Sequence, residues 1–221
     1  MIGTLSHIRQ RRSALRRSID VKGAFEEWEE SCVPSYVHPN PLAAYVSWQR
    51  LFVAARLANQ LAPHPVRVLD FGSSVGELSH ILHYDGDYEF VEMDDASANF
   101  LTRQNSRARR LTLEEAPEGT YDLVFAIDSL EHNEEYAELL NELAKRLAPG
   151  GFLVLSGPTE NKLYRFGRKV AGFEGHYHHT TIFDIERAAQ PTLERIACRT
   201  VPFGVPLFRI TAWKRRARPS V

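Results

Sequence analysis

Acidic residues stand at the ends of short apolar runs in this chain. Asp70 closes "VRVLD", Asp94 and Asp95 follow "YEFVEM", and Asp128 follows "YDLVFAI". After Asp70 come Gly72, Ser73, Ser74 and Gly76. A carboxylate at a strand tip beside such a turn can hold a cationic or hydroxyl-bearing ligand, because glycine lets the chain turn without a Cβ and brings backbone close to whatever sits above the strand. Histidines supply the second kind of chemistry. His132 lies in "LEHN", and His176, His178 and His179 surround Tyr177 in "GHYHHTT". These groups titrate near neutral pH and can take a proton from a reacting acceptor. A metal is the rival occupant of the later cluster, yet Glu174 alone offers a carboxylate at ligand spacing and no cysteine does, so no metal is expected. Tyr36 and His38, in "PSYVHPNP", are further substrate-side candidates, with Tyr36 equally suited to anchoring the core.

These residues need a scaffold that delivers several strand tips to one crevice. From residue 66 the pattern alternates short apolar runs with helical spacing. Strands are expected at Val66 to Asp70, Tyr88 to Met93, Tyr121 to Ile127 and Phe152 to Leu155. Helices are expected at Glu77 to Leu82, Ala96 to Asn105, Tyr136 to Leu147 and Ile182 to Ala189. Such alternation implies βαβ crossovers and a mostly parallel sheet covered on both faces. Leu193 to Val201 and Pro206 to Trp213, separated by "PFG", read as an antiparallel hairpin at one edge. Upstream, Pro34, Pro39 and Pro41 should keep their segment extended, and a helix from Leu42 should stop before Pro63. Its apolar face would carry Leu42, Tyr45, Val46, Phe52, Val53, Leu57 and Leu61, while Leu5, Ile8, Leu15 and Ile19 share a face of a basic helix that Arg12 interrupts.

At 221 residues and 43% hydrophobic, the chain can bury a full core. Charge is uneven: residues 1–22 carry six Arg or Lys against Asp20, residues 213–221 carry four, and the body between is acidic. That distribution argues against a nucleic-acid binder with one broad positive face, although either basic end could touch phosphates or an anionic membrane surface. Two distant cysteines suggest neither a disulfide framework nor a zinc site. With no membrane-length apolar run and no signal-peptide core, the expected setting is soluble and cytoplasmic. Oligomeric state leaves no trace in the sequence.

The turn departs from a G-x-G-x-x-G dinucleotide fingerprint and matches D-x-G-x-G-x-G with the middle glycine replaced by Ser74. With "YEFVEMDDAS" about 20 residues later and "YDLVFAIDSLEHNEEYAELLNELAKRLAPGGFLVL" beyond, it resembles the class I S-adenosylmethionine-dependent methyltransferases, a resemblance covering about residues 42–213. The resemblance implies a Rossmann-like three-layer sandwich whose mostly parallel seven-stranded sheet ends in an antiparallel hairpin. It implies an arm and cap over residues 1–62 and a cofactor domain over 63–221. It also implies that Asp70, Gly72, Ser73, Ser74, Gly76, Asp94 or Asp95, and Asp128 hold S-adenosyl-L-methionine, with Asp94 or Asp95 on the ribose and Asp128 near the methionine portion. His132, His176, His178 and His179 are then the candidate catalytic residues, and Tyr36, His38 and Tyr177 the candidate substrate residues. The expected reaction is methyl transfer to oxygen or nitrogen of a small molecule, and the basic "NKLYRFGRK" favours an anionic or carrier-linked sugar or lipid intermediate. A catalytically silent binding or scaffold protein on this fold is the alternative, and an NAD-dependent oxidoreductase a more distant one. If Ser74 needs positive φ, its side chain costs roughly 1–2 kcal/mol.

Overall fold

The computed structural model describes residues 2–19, 32–162, 164–165, 180–202 and 206–216. Three helices precede the sheet: α1 (Ile2–Ser18), α2 (Val33–Tyr36) and α3 (Pro41–Leu61). The remainder runs β1 (Arg67–Phe71), β2 (Asp87–Val91), α4 (Asp95–Gln104), β3 (Ala108–Arg110), β4 (Tyr121–Ile127), α5 (Tyr136–Arg146), β5 (Leu147–Pro158), α6 (Ile182–Ala189), β6 (Leu193–Val201) and β7 (Phe208–Arg215). Short 3₁₀ turns at Glu77–His80 and Leu130–His132 follow β1 and β4.

The seven strands form one sheet in the order β3-β2-β1-β4-β5-β7-β6. Pairs among β1 to β5 are parallel, and β7 runs antiparallel to both β5 and β6. Chain order reverses between β1 and β4, so the crevice above their carboxyl ends is the place where an open sheet of this kind receives a ligand. Side chains alternate across the sheet. Val68, Leu123, Phe125 and Val154 join one core with α1, α3 and β2. Leu69, Val124, Ala126, Leu153 and Leu155 join the other, with α5, α6 and Trp213. Among the described residues no helix is long and apolar enough to cross a membrane.

The alternating pattern, the terminal hairpin and the mostly parallel sheet are as the sequence leads one to expect. Several local features differ, each for a physical reason. Pro34 does not keep its segment extended. It sits in the first turn of α2, where its missing N–H costs nothing and its fixed φ suits a helix. Asn40 caps α3 by accepting from the Leu42 amide at 2.9 Å, and of the expected face Phe52 and Leu57 are buried and Tyr45, Val53 and Leu61 pack against the core, but Leu42 is exposed and Ala44, Ser47, Trp48, Arg50, Leu51, Ala54, Ala55 and Ala58 are buried as well. Small alanines let this helix lie close to the sheet, so its buried face is wider than the large apolar residues alone mark out. In α1, Ile8 and Leu15 are buried while Leu5 is exposed. The expected helix at Glu77 to Leu82 is only a 3₁₀ turn, because Gly76 enters it in left-handed geometry.

One buried carboxylate fastens the first four strands. Glu89 of β2 accepts from Tyr121 Oη at 2.5 Å, from Arg67 at 2.8 Å and from Arg109. Burial would raise the Glu89 carboxyl, but these hydrogen bonds outweigh it and hold the group below the ordinary glutamate range. Its contribution is therefore present at neutral pH and lost as pH falls below about 4.3. Replacing Glu89 with Ala should destabilise by about 2–3 kcal/mol, lowering the melting temperature by roughly 5–10 °C at pH 7. The deficit should shrink when the melts are repeated near pH 4. An equal deficit at both pH values would mean that packing, and not the ionised carboxylate, accounts for it.

Candidate active site

The crevice is built around the turn that leaves β1. Gly72 (φ 71°) donates its amide to Val91 O at 2.9 Å, which ties the turn to β2. A Cβ on Gly72 would come within 2.4 Å of Ser129 Cβ, so the turn is also pressed against the chain leaving β4. Gly76 (φ 76°) lies against Leu101 of α4, whose Cγ a side chain would meet at 2.3 Å. Between them Ser74 takes φ 49°, the left-handed geometry that a glycine would occupy more readily. Its amide donates to Glu92 Oε2 at 2.7 Å, and Glu92 Oε1 accepts from the Asp94 amide at 3.0 Å.

Three hydroxyls in this region, those of Ser73, Ser74 and Ser129, are buried without a hydrogen-bond partner among the described residues. Buried hydroxyls in native folds are nearly always satisfied, so three at one turn mark a place shaped for polar groups of a ligand. Asp70 sits below them, 3% exposed, accepting from Tyr88 Oη at 2.5 Å. Burial pushes its carboxyl up to about 7, against the Tyr88 hydrogen bond and with a smaller push from the charge of Glu92. Asp70, Gly72, Ser73 and Ser74 line a cavity of about 10 Å³ together with Cys32, Tyr36, Leu51, Glu77, Leu78 and Ile127. The N-terminal helices form its roof. Arg11 of α1 makes paired hydrogen bonds to the buried Glu77 at 2.9 and 2.7 Å, and Arg12 and Arg16 donate to the carbonyls of Val37 and His38. A larger cavity of about 320 Å³, between Ser18, Ile19 and α4, has Arg103 as its charged lining residue among the described residues and includes none of the turn.

Of the acids expected at the strand tips, Asp70 lines the cavity, and Asp128 and Asp94 each have partners of their own. Asp128 (φ 50°) accepts from Ser156 Oγ at 2.9 Å and is paired with Arg50 of α3. Arg50 is itself buried, with its guanidinium 4.5 Å from the Phe208 ring centre. Asp94 is the cap of α4, accepting from the Ser97 amide at 2.7 Å, and is exposed. Asp95 is exposed and pairs with Arg110 at 2.7 Å. The acid that reaches the turn is Glu92, which the sequence reading passed over. β2 ends at Val91, two residues before the expected boundary, so the carboxylate at its tip directly follows the last apolar residue.

Beyond β4, Glu131 is buried, and burial followed by the charge of Asp128 drives its carboxyl well above the usual carboxylate range. Neighbouring His132 is exposed, closing the 3₁₀ turn. Tyr36 faces the cavity and packs on Trp48 with ring centres 5.1 Å apart, so it is core anchor and cavity wall at once. His38 is buried beside the cavity roof, where its Nδ1 accepts from the Asn40 amide at 3.1 Å, and it is not a cavity wall. His176, Tyr177, His178 and His179 lie outside the described residues.

Known proteins share the domain and its fold. Residues 45–192 match the family described as "Methyltransferase domain". A trans-aconitate 2-methyltransferase of Methylobacterium nodulans is 33% identical over 116 residues, 49% of this chain and 45% of that enzyme. A polyketide synthase–nonribosomal peptide synthetase of Pyricularia grisea is 28% identical over 63% of this chain but only 4% of its own length. The chain thus spans less than half the length of these curated relatives. Among solved structures, the N-methyltransferase NodS of Bradyrhizobium japonicum WM9, in complex with S-adenosyl-L-homocysteine, superposes with a TM-score of 0.63 at 14% identity, over 78% of this chain and 88% of that one. Magnesium protoporphyrin IX methyltransferase of Synechocystis PCC 6803, also with S-adenosylhomocysteine bound, gives a TM-score of 0.59 at 16% identity, over 80% and 88%. Strand order, glycine turn and family match lead to one statement: the chain belongs to the methyltransferase-domain family, on the class I fold whose cofactor is S-adenosyl-L-methionine.

Proposed function

We propose that this chain transfers a methyl group from S-adenosylmethionine to an oxygen or nitrogen of a small anionic acceptor, with carrier-linked sugar or lipid intermediates within that class. The observation that carries the cofactor assignment is the trio of unpartnered hydroxyls on Ser73, Ser74 and Ser129 around a turn whose amide rests on Glu92. In this reading Glu92 accepts from the ribose hydroxyls, Gly72, Ser73 and Ser74 form the floor, and Gly76 admits the adenosine side. Asp70 faces the ammonium group, and Asp128 stands near the methionine portion. When bound, S-adenosylmethionine supplies a methyl group on a sulfonium whose departure leaves a neutral thioether. The protein's task is then chiefly to align acceptor and methyl carbon, an effect worth up to about 7–11 kcal/mol in well-oriented systems.

Two features support an anionic acceptor. The trans-aconitate 2-methyltransferase matched above is named for such a substrate. Lys162 and Arg165 follow β5, on the side of the sheet where its strands end. His132 is the described candidate for a base, and His176, His178 and His179 are the others, with Tyr36, His38 and Tyr177 as substrate contacts. The basic ends remain available to anionic surfaces only in part, since Arg11, Arg12 and Arg16 are engaged within the fold. The function is tested by incubating the protein with S-adenosylmethionine and a panel of small carboxylic and phosphorylated acids while measuring S-adenosylhomocysteine release. Turnover on an acid supports the proposal. Cofactor binding without turnover on any member, or on neutral amines and phenols added to the panel, would favour a catalytically silent binding protein.

Site assignments can be separated by calorimetry with S-adenosylhomocysteine. Glu92→Gln should weaken its binding at least tenfold and cost about 1 kcal/mol of stability, because the amide keeps only one of the two oxygens that accept from the Ser74 and Asp94 amides. Asp94→Asn, which keeps a capping side chain, should leave affinity within about threefold, and Asp94→Ala should cost about 1 kcal/mol of stability through the lost cap. The reverse ranking would return the ribose to Asp94.

Asp70 generates a pH dependence. Its carboxyl, at about 7, binds an ammonium group only when ionised, so cofactor affinity should rise from pH 6 to pH 8 with release of a proton. The empty protein should behave oppositely. The native fold keeps this proton up to about pH 7, whereas the unfolded chain loses it near the ordinary value of 3.8, so rising pH across that window subtracts stability. Asp70→Asn should flatten both profiles, raise the melting temperature at pH 8 by several degrees, and weaken cofactor binding. Unchanged pH profiles in that variant would show that Asp70 does not titrate in this range.

A further inference from the structure

At the end of the sheet opposite the glycine turn, two loops bring His64, His83 and Asp85 together. His64 lies between α3 and β1, and His83 and Asp85 lie just before β2, so all three stand where those parallel strands begin. His64 Nδ1 is 3.0 Å from Asp85 Oδ2, His83 Nε2 is 3.6 Å from Asp85 Oδ1, and one ligand atom from each of the three lies within 4.8 Å of the others. All three side chains are exposed. We propose that His64, His83 and Asp85 form a binding site for a borderline divalent transition metal of the zinc and nickel class, distinct from the cofactor crevice.

Three observations carry this assignment. The first is spacing. Zinc holds imidazole nitrogen and carboxylate oxygen at about 2.0–2.2 Å, which places neighbouring ligand atoms about 3–3.5 Å apart, and the two measured separations bracket that interval. Closure of the third pair needs only rotation of exposed imidazole rings, which already lie edge to face with centres 5.9 Å apart.

The second is that the backbone beneath the ligands is fixed by bonds that do not involve them. The Asn59 side chain donates to His83 O at 2.7 Å and accepts from the His83 amide at 3.2 Å. Asp85 N donates to Pro65 O at 3.0 Å, and Asp87 N to Val66 O at 2.7 Å. Arg107 donates to the carbonyls of Asp85 and Gly86 while its guanidinium covers the Tyr84 ring at 4.8 Å. The loops are pressed so closely that a Cβ on Gly86 would fall 2.1 Å from Val66 O. Most of the ordering entropy is thus lost in folding, before any ion arrives, and only side-chain rotors remain to be fixed.

The third is donor chemistry. Two imidazoles and one carboxylate suit zinc, nickel or copper, whereas magnesium and calcium prefer sites made wholly of oxygen. With three protein ligands, water would complete the coordination sphere. Bound there, the ion would join the α3–β1 loop to the entry of β2, raising stability without touching the methyl-transfer site.

The test is titration of the untagged full chain with zinc chloride and nickel chloride, with magnesium chloride as control. One equivalent of zinc should bind, magnesium should not, and the melting temperature should rise by roughly 5–10 °C at a hundredfold excess over the dissociation constant. His83→Ala and His64→Ala should each weaken binding at least tenfold and remove the thermal shift, while their metal-free melts match the wild type because both rings are exposed. Should either alanine variant fold poorly, Asp85→Asn gives the same reading with a smaller change. Variants at His176, His178 and His179 should retain the site. Absence of zinc binding in the wild type overturns the proposal, as does binding that survives His83→Ala and disappears when the later histidines are replaced.

Discussion

The constraint on which the crevice depends is the wedging of one turn between two strand ends. Gly72 has its amide on the last residue of β2 and no room for a Cβ against Ser129. Gly76 is closed in by Leu101. These contacts fix where β1 stops, how near β4 comes and how α4 sits, and the parallel order around the switch point brings all three to the same place. A ligand above this turn meets backbone amides and short hydroxyls, with almost no side-chain freedom to lose on binding. That economy explains why Ser74 is kept in a left-handed conformation that most residues avoid: moving it out would withdraw its amide from Glu92 and reopen the turn.

Charge is distributed around this wedge in a way that net composition conceals. The Arg-rich first helix reads as a solvated basic arm, yet Arg11, Arg12 and Arg16 each reach a buried acid or orphan carbonyl and dock α1 over the crevice. Arg50 pairs with Asp128 and Arg11 with Glu77, which leaves Glu92 and Asp70 as the acids at the turn without an arginine partner among the described residues. Buried ion pairs contribute little net stability, because desolvation offsets most of their attraction, but removing one partner is costly. Such pairs are better understood as fixing register: Arg50 sets how α3 lies across the tips of β4 and β5, and Arg11 sets α1 against the turn after β1.

Much of this was legible in the sequence. The alternation of period-two and helical spacing gave the sheet and its covering layers, and the acids and glycines marked the strand tips. What escaped was whatever depends on tertiary contact or on a boundary of one or two residues. β3 is three residues, "ARR", with no hydrophobic signature, and exists because it can pair with β2. Glu92 was overlooked because Met93 seemed to continue the strand, whereas Met93 is 90% exposed and the ladder ends at Val91. The stripe on α3 is incomplete in the sequence because alanine carries little hydrophobic weight, yet Ala44, Ala54, Ala55 and Ala58 are buried beside Phe52 and Leu57. His64, His83 and Asp85 form no motif at all: their convergence is a property of two loops joined by backbone hydrogen bonds.

Locally unfavourable features are concentrated at the carboxyl ends of the strands. Ser74, Asp128 and Glu160 all have positive φ without being glycine, the hydroxyls of Ser73, Ser74, Ser97 and Ser129 lack partners among the described residues, and the carboxyls of Asp70 and Glu131 are pushed up by burial. A sequence selected for stability alone would replace these with glycine, alanine or an apolar residue, and the rest of the sheet shows that this chain packs such residues well. Their concentration at the switch point is therefore an argument for function that stands apart from any similarity to known proteins. The cost of holding Asp70 away from water falls when a cation meets it, so part of what the empty fold sacrifices in stability returns as selectivity for a positively charged ligand.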